Sequence, residues 1–228
     1  MKIAVLGTGM VGRAIAGKLS TLGHNVVIGT RDVEQTLART EPDWLDNAPF
    51  AQWQPTHPAV QLAAFANAGA YGEIIVNATQ GALSLTALEA TGAANLSGKV
   101  LLDVAMPLDL SQGMPPTLTV ANTDSLAERI QRTYPSTRVV KSLNTMLADI
   151  MVDPARIPGS HNVFVAGEDA AAKETVTILL REFGWPEEAI LDLGGIRAAR
   201  GVEMYGAMTF ALSAALGTFD FNIAVVRA

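Results

Sequence analysis

The sequence predicts an α/β protein: a Rossmann-type doubly wound parallel sheet with a small C-terminal α+β domain. Three observations lead there. Short, nearly continuous apolar runs alternate with longer helical patterns, as in βαβ units whose strands are covered by helices on both faces. The first apolar run ends in Gly7-Thr8-Gly9-Met10-Val11-Gly12, a glycine-spaced turn that opens a helix. Hydrophobic residues make up 49% of the 228 positions and charged residues 17%, enough to bury a sizeable core and too apolar for intrinsic disorder.

The elements follow in order. Strands are expected at residues 2–6, 25–29, 73–78, 100–104 and 138–143, with helices beginning near Met10, Asp32, Pro58, Ser84 and Asp124. Gly23 stands where a helix C-cap is needed. Ser125 and Glu128 have the spacing of a capping box. A second cycle reads strand 162–166, helix 169–183, strand 190–193 and helix 197–216. The closing run Phe-Asp-Phe-Asn-Ile-Ala-Val-Val-Arg places Phe219, Phe221, Ile223 and Val225 on one face if it is a strand. Asp153-Pro154 and Pro158-Gly159 mark a boundary near residue 150. It separates a nucleotide-binding domain, 1–150, from a small domain, 151–228, expected to close the acceptor cleft and contribute to dimerisation.

Two proline-rich connections exceed a minimal βαβ template: residues 41–58, which carry Trp44 and Trp53, and residues 106–119. Loops of this length often serve as lids, interfaces or binding loops. Residues 47–72 contain no charged side chain, so this stretch is expected to be covered by a partner subunit or a ligand.

Composition also excludes functions. Sixteen Lys and Arg against 22 Asp and Glu give a net charge of −6, which argues against a general nucleic-acid binder. Without cysteine there is no disulfide, thiolate metal site or thiol nucleophile. His24, His57 and His161 have no metal-like spacing. The start Met-Lys-Ile-Ala-Val-Leu-Gly does not read as a secretory leader. The longest apolar stretch, 204–219, falls short of the roughly 20 residues that span a bilayer. A cytoplasmic protein with no membrane association is expected.

Each glycine of the first turn has a mechanical task. Gly7 permits the tight turn, Gly9 lets the backbone approach a pyrophosphate, and Gly12 lets the helix pack closely on the strand. The free N–H groups of the helix start and its dipole then favour phosphate. An NAD site usually places an acid about 20 residues further on, to hold the ribose hydroxyls. Here that position reads Thr30-Arg31-Asp32. Arg31 is suited to pair bidentately with a 2′-phosphate and Thr30 to donate another hydrogen bond, which favours NADP. Asp32 is open to two readings, a ribose acid or the N-cap of a helix with Gln35 at N3.

At this point the sequence resembles the NADPH-dependent reductases of coenzyme F420, a 5-deazaflavin, over nearly its whole length. The resemblance rests on Gly-Thr-Gly-Met-Val-Gly, on the stretch from Thr21 to Asp32, on Val-Val-Lys-Ser-Leu-Asn-Thr-Met and on a G-x-x-x-A-R-x-x-E pattern from Gly195 to Glu203. It implies a Rossmann domain with a small C-terminal domain, NADP(H) and the deazaflavin meeting in the cleft between them, and a homodimer. By the same resemblance Thr8, Gly9, Met10 and Val11 contact the pyrophosphate, and Thr30 with Arg31 the 2′-phosphate. Ala78, Thr79 and Ala105 line the path from adenosine to nicotinamide, and Asn144 and Thr145 sit beside the nicotinamide. Gln80-Gly81 departs from the bulkier, proline-containing segment the family suggests, and the two long connections look like insertions where the second substrate docks.

Hydride transfer between two such rings needs positioning more than protein acids or bases. No side chain is therefore singled out as a general acid or base beyond His57, a candidate proton donor; Asn144 and Thr145 are positioning candidates. Gly194 and Gly195 open the last helix, where Arg197 and Arg200 are placed to meet an anionic acceptor tail, or Arg200 simply pairs with Glu203 three residues on. Met204, Met208, Leu212 and Leu216 form a stripe that suits either the core or a dimer axis, on a helix kept slim by small residues. Three other readings remain at this level: reduction of a flavin, quinone or ferric chelate; a pyrroline-carboxylate-type imine reductase, disfavoured by the strand–helix–strand pattern near the C-terminus; and a non-catalytic NADPH-binding redox sensor.

Overall fold

A computed structural model describes residues 1–42 and 47–227. In chain order its strands are β1 (Lys2–Leu6), β2 (Asn25–Thr30), β3 (Gln61–Ala64), β4 (Ile74–Asn77), β5 (Val100–Asp103), a hairpin β6 (Leu108–Asp109) and β7 (Thr117–Leu118), then β8 (Arg138–Ser142), β9 (Val163–Ala166) and β10 (Ile190–Asp192). All but the hairpin join one sheet in the order β10-β9-β8-β5-β4-β1-β2-β3. The six strands from β3 to β8 are parallel, and they give the doubly wound order in which the chain reverses direction across the sheet between β1 and β4. The side chains of β1, β2 and β4 are buried on both faces: Ile3, Val5, Ile28 and Val76 in one layer, Ala4, Leu6, Val27 and Ile75 in the other.

The helices are α1 (Met10–Thr21), α2 (Val33–Ala38), α3 (Phe50–Trp53), α4 (Phe65–Tyr71), α5 (Ser84–Thr91), α6 (Ala93–Leu96), α7 (Leu126–Thr133), α8 (Ala148–Val152), α9 (Ala170–Phe183) and α10 (Ala199–Leu216). Asp32 caps α2 by accepting from the Gln35 N–H at 2.9 Å, so the capping reading of this residue accounts for its side chain. Ser125 likewise caps α7 through the Glu128 N–H, but its hydroxyl donates to the Glu128 carboxylate, a variant of the expected box.

Several expectations change. The helix expected from Pro58 is strand β3 followed by α4; Gln61-Leu62-Ala63-Ala64 carries no β-branched residue and is recruited by pairing with β2. The uncharged stretch 47–72 is covered only in part by its own chain: Phe50 and Val60 lie in the core and Ala68 is fully buried, while ten of its residues are exposed; Trp44 lies outside the described residues. The 106–119 connection folds back as the β6–β7 hairpin.

The boundary near residue 150 falls inside the sheet. The strand–helix–strand expected after it is present as β9-α9-β10, yet β9 pairs antiparallel with β8 and β10 parallel with β9, extending the same sheet. The closing run is not a strand. The Asn162 N–H donates to Ile223 O at 2.9 Å, the Val225 N–H to Asn162 Oδ1 at 2.7 Å and the Asn222 amide to Asn162 O at 3.0 Å, so the tail is fastened along Asn162 without joining the sheet.

Helices α7 and α10 are joined by charge. Arg200 donates twice to Glu128, at 2.8 and 2.7 Å. This contact, helped by the Ser125 hydroxyl and opposed by burial, holds the Glu128 carboxyl below its ordinary value. A lowered folded-state pKa gives stability that is fully present above the unfolded value and lost as pH falls through the folded one. The thermal midpoint should therefore decline below about pH 4.5. Arg200→Gln should lower it by a few degrees at neutral pH and flatten the acid decline, measured by calorimetry across pH 3–7.

Candidate nucleotide-binding cleft

The cleft begins with a close approach of backbones. Gly7 has φ +117°, and a Cβ there would lie 2.5 Å from Ala78 O. A Cβ on Gly12 would lie 2.1 Å from Gly7 O. These two glycines let α1 start directly against the ends of β1 and β4, the crevice where doubly wound sheets bind ligands. Gly9 differs: its backbone is extended, and a Cβ would meet no atom within 4 Å. Space is open in front of the unpaired N–H groups at the start of α1, which carries no acidic residue in its first turn, and this cradle fits a dinucleotide pyrophosphate.

A cavity of about 600 Å³ adjoins the cradle. It gathers seven of the residues singled out in the sequence: Gly9, Met10, Val11, Ala78, Thr79, Ala105 and Asn144. Gly7 and Gly12 back it. Asn144 is 6% exposed, and its amide donates to Val202 O at 2.9 Å, which ties the loop after β8 to α10. Thr8 is half-buried outside the lining, and Thr145 lies behind it with its hydroxyl buried and unpartnered.

Thr30 and Arg31 stand at the end of β2, outside this cavity. The Thr30 hydroxyl is directed inward: it donates to Thr36 Oγ1 at 2.7 Å, whose own proton goes to Asp32 O. Thr30 therefore braces the turn instead of presenting a donor. Arg31 is exposed and has no hydrogen-bond partner among the described residues.

Residues with no individual site role in the sequence reading complete the cavity. Leu108 and Leu110 come from the hairpin segment, Gly206, Thr209 and Phe210 from α10, Phe219 from the tail, and Asn47 from the first long connection. The Phe210 and Phe219 rings meet edge to face at 5.7 Å. Gln80-Gly81 is explained by its neighbour, since a Cβ on Gly81 would fall 2.0 Å from Met106 O. Gly206 makes room for the same residue: its Cβ would overlap the Met106 methyl. The long connections thus do line the cavity, but only tertiary packing reveals which residues reach it.

Other sequence candidates are elsewhere. His57 stacks on Trp53 at 4.1 Å and packs against Gly17 of α1, outside the cavity lining, so it is not placed as a proton donor there. The backbone at the head of the last helix is met by the chain's own Glu168, which accepts from the Ile196 N–H at 3.0 Å. Arg200 binds Glu128, as described, and Glu203 accepts from the Leu126 and Ala127 N–H groups. An anionic acceptor tail gripped by Arg200 and an Arg200–Glu203 pair are both replaced by a seam between α7 and α10. The stripe Met204, Met208 and Leu216 is 39%, 54% and 59% exposed, so it is not core. No group of three metal-ligating side chains and no helix long and apolar enough to cross a membrane occur among the described residues.

The two glycines make separable predictions. Gly9→Val should leave the thermal midpoint nearly unchanged and weaken dinucleotide binding at least about tenfold by calorimetry, because its side chain fills the cradle. Gly12→Ala should instead cost about 1–3 kcal/mol of folding stability in denaturant titration, since the neighbouring carbonyl has to move.

Residues 2–107 match the family model described as NADP oxidoreductase, coenzyme F420-dependent. A crystal structure from Arthrobacter sp. FB24, described as a candidate F420-dependent NADP-reductase, is 57% identical over the full length of both chains, with a TM-score of 0.94. The F420-dependent NADP reductase of Methanothermobacter marburgensis is 28% identical over 89% of this chain and 88% of its own length. Metalloreductase STEAP3 of Rattus norvegicus is 28% identical over 89% of this chain, which spans only 36% of that longer protein.

Proposed function

Since the chain belongs to the family of coenzyme F420-dependent NADP oxidoreductases, and is an NADP-dependent oxidoreductase, we propose that it moves a hydride between NADPH and coenzyme F420 in the cavity beside the glycine cradle. The observation that carries this reading is the cavity itself: room for a second ring adjoins the cradle, and its walls are neutral. Among the described residues lining it none is ionisable, so the site offers surfaces for two rings in place of a proton donor. That suits an acceptor whose reduced ring spreads negative charge by conjugation. It does not suit a simple carbonyl or imine, whose developing charge calls for a nearby acid.

When bound, NADPH supplies the hydride and the acceptor ring receives it, which is chemistry belonging to the cofactors. The chain's own part is to hold and shield. The start of α1, with Thr8 to Val11, holds the pyrophosphate, and Arg31 takes the 2′-phosphate while Thr30 fixes the turn beneath it. Ala78, Thr79 and Ala105 carry the cofactor toward Asn144 and Thr145 at the nicotinamide end. Leu108, Leu110, Phe210 and Phe219 face the acceptor ring. Positioning of this kind supplies most of the rate when reacting atoms are held about 3–3.5 Å apart. A ferric chelate is the second reading, favoured by the similarity to the metalloreductase STEAP3.

The exposed stripe on α10 supports a homodimer. Ala207, Ala211 and Ala215 are exposed beside Met204 and Met208, so a second helix could approach closely there. Met208→Glu should convert a dimer to a monomer in light scattering at micromolar concentration.

The functional reading is tested by following NADPH oxidation with coenzyme F420, FMN, a quinone and ferric citrate in parallel. Turnover with coenzyme F420 well above the other three is expected; turnover with ferric citrate alone would transfer the assignment to the second reading. In the same assay Arg31→Ala should raise KM for NADPH about tenfold to a hundredfold, from the loss of a charge-assisted contact of roughly 1.5–3 kcal/mol, and leave KM for NADH unchanged.

A further inference from the structure

A second polar system lies beneath the cavity floor, wholly enclosed. Lys141 on β8 is 0% exposed. Its ammonium pairs with Asp103 Oδ2 at 3.1 Å and with Glu203 Oε1 at 3.1 Å, and donates to Ala105 O. Asp103 and Glu203 are 0% and 1% exposed. The network continues in two directions. Asp103 Oδ1 accepts from the Ala105 N–H at 3.2 Å and from Asn77 Nδ2 at 2.9 Å. Asn77 Oδ1 in turn accepts from the Thr79 hydroxyl at 2.6 Å. On the other side Glu203 accepts the first two N–H groups of α7.

Burying three charges is expensive, and hydrophobic residues of like volume often serve stability as well or better. Stability alone therefore does not account for this arrangement. Its placement does. Both polar groups of the Ala105 backbone are bound within it, one by Asp103 and one by Lys141. Its two outlets are Thr79, on the cavity wall, and α10, which contributes Gly206, Thr209 and Phe210 to the same cavity. Asn144 fastens α10 one residue before Glu203, through Val202 O.

We propose that Lys141, with Asp103 and Glu203, is a positioning centre for the nicotinamide end of the cleft. It fixes the Ala105 backbone, the Thr79 hydroxyl and the cavity face of α10 in one frame, so that the reduced nicotinamide is held in a single orientation against the acceptor. The phosphate-binding end, at Gly9 and Arg31, lies outside this network and is not governed by it. The proposal rests on the cavity being the hydride-transfer site, and one of its tests needs no acceptor.

Lys141→Met alone leaves two buried carboxylates facing each other and is expected to fold poorly. The informative variant is the combined Asp103→Asn, Lys141→Met and Glu203→Gln protein, which removes all three charges together. Two readouts apply to it. Binding of NADPH, titrated by calorimetry, should stay within about threefold of wild type because the phosphate contacts are intact, while kcat with coenzyme F420 falls roughly tenfold to a hundredfold, as expected for misorientation of about an ångström. Fluorescence of the bound reduced nicotinamide should also move toward that of free NADPH. Unchanged fluorescence of bound NADPH together with wild-type kcat per folded molecule would overturn the proposal and leave the network a structural one. If wild type has no turnover with coenzyme F420, the functional reading fails and the fluorescence comparison still decides this one. The single variant Asp103→Asn, which keeps the side-chain shape, gives the same comparison should the triple variant not fold.

Discussion

The contact between the backbones of Gly7, Gly12 and Ala78 governs the architecture around it. A side chain at Gly7 or Gly12 would collide with a carbonyl oxygen, at 2.5 and 2.1 Å respectively. With hydrogen in those places, helix α1 begins against the sheet where β1 and β4 part, and its free N–H groups face an open space. The spacing of cradle and cavity follows from that one approach, because Ala78 and Thr79 are the next residues along the same edge. A phosphate-binding turn is thus a packing solution first and a binding solution second.

The cavity beyond it is assembled from distant parts of the chain. One wall comes from the segment after β5, another from α10, a third from the tail. Met106 joins two of them, lying in the space left by Gly206 while its sulfur receives the Asn144 amide at 3.2 Å. The neutral lining and the charged network beneath it divide the work. Hydrogen bonds and ion pairs determine where the backbone stands, and mostly apolar side chains form the surface of the cavity. Keeping ionised groups below the surface of the site is consistent with a reaction in which the protein need not exchange protons.

Much of this was legible in the sequence because local rules and tertiary structure agree there. The apolar runs became the central strands, Gly-Thr-Gly-Met-Val-Gly became the turn, and Asp32 and Ser125 became helix caps. Strand β3 was hidden, since Gln61-Leu62-Ala63-Ala64 has neither alternation nor β-branched residues and takes its conformation from β2. The direction of β9 was hidden too, as strand composition does not encode antiparallel pairing. At the candidate site, residues tied to the strand ends were placed, whereas Leu108, Phe210 and Phe219 were not. They come from segments without a motif. Arg200 and Glu203, three apart on one helix, have separate partners: the α7 N-terminus gives Glu203 two N–H donors, and Glu128 offers Arg200 a bidentate carboxylate.

The tail has a role out of proportion to its lack of regular structure. Phe219 faces the cavity, Asp220 binds Arg156 at 2.8 Å, and the next few residues are fastened along Asn162, the residue just before the strand β9 that borders β8. A wall of the cavity is therefore held in place by contacts among residues that do not line it. Shortening the polypeptide before Asn222 would undo the contacts to Asn162 and reshape the cavity without replacing a single residue that lines it.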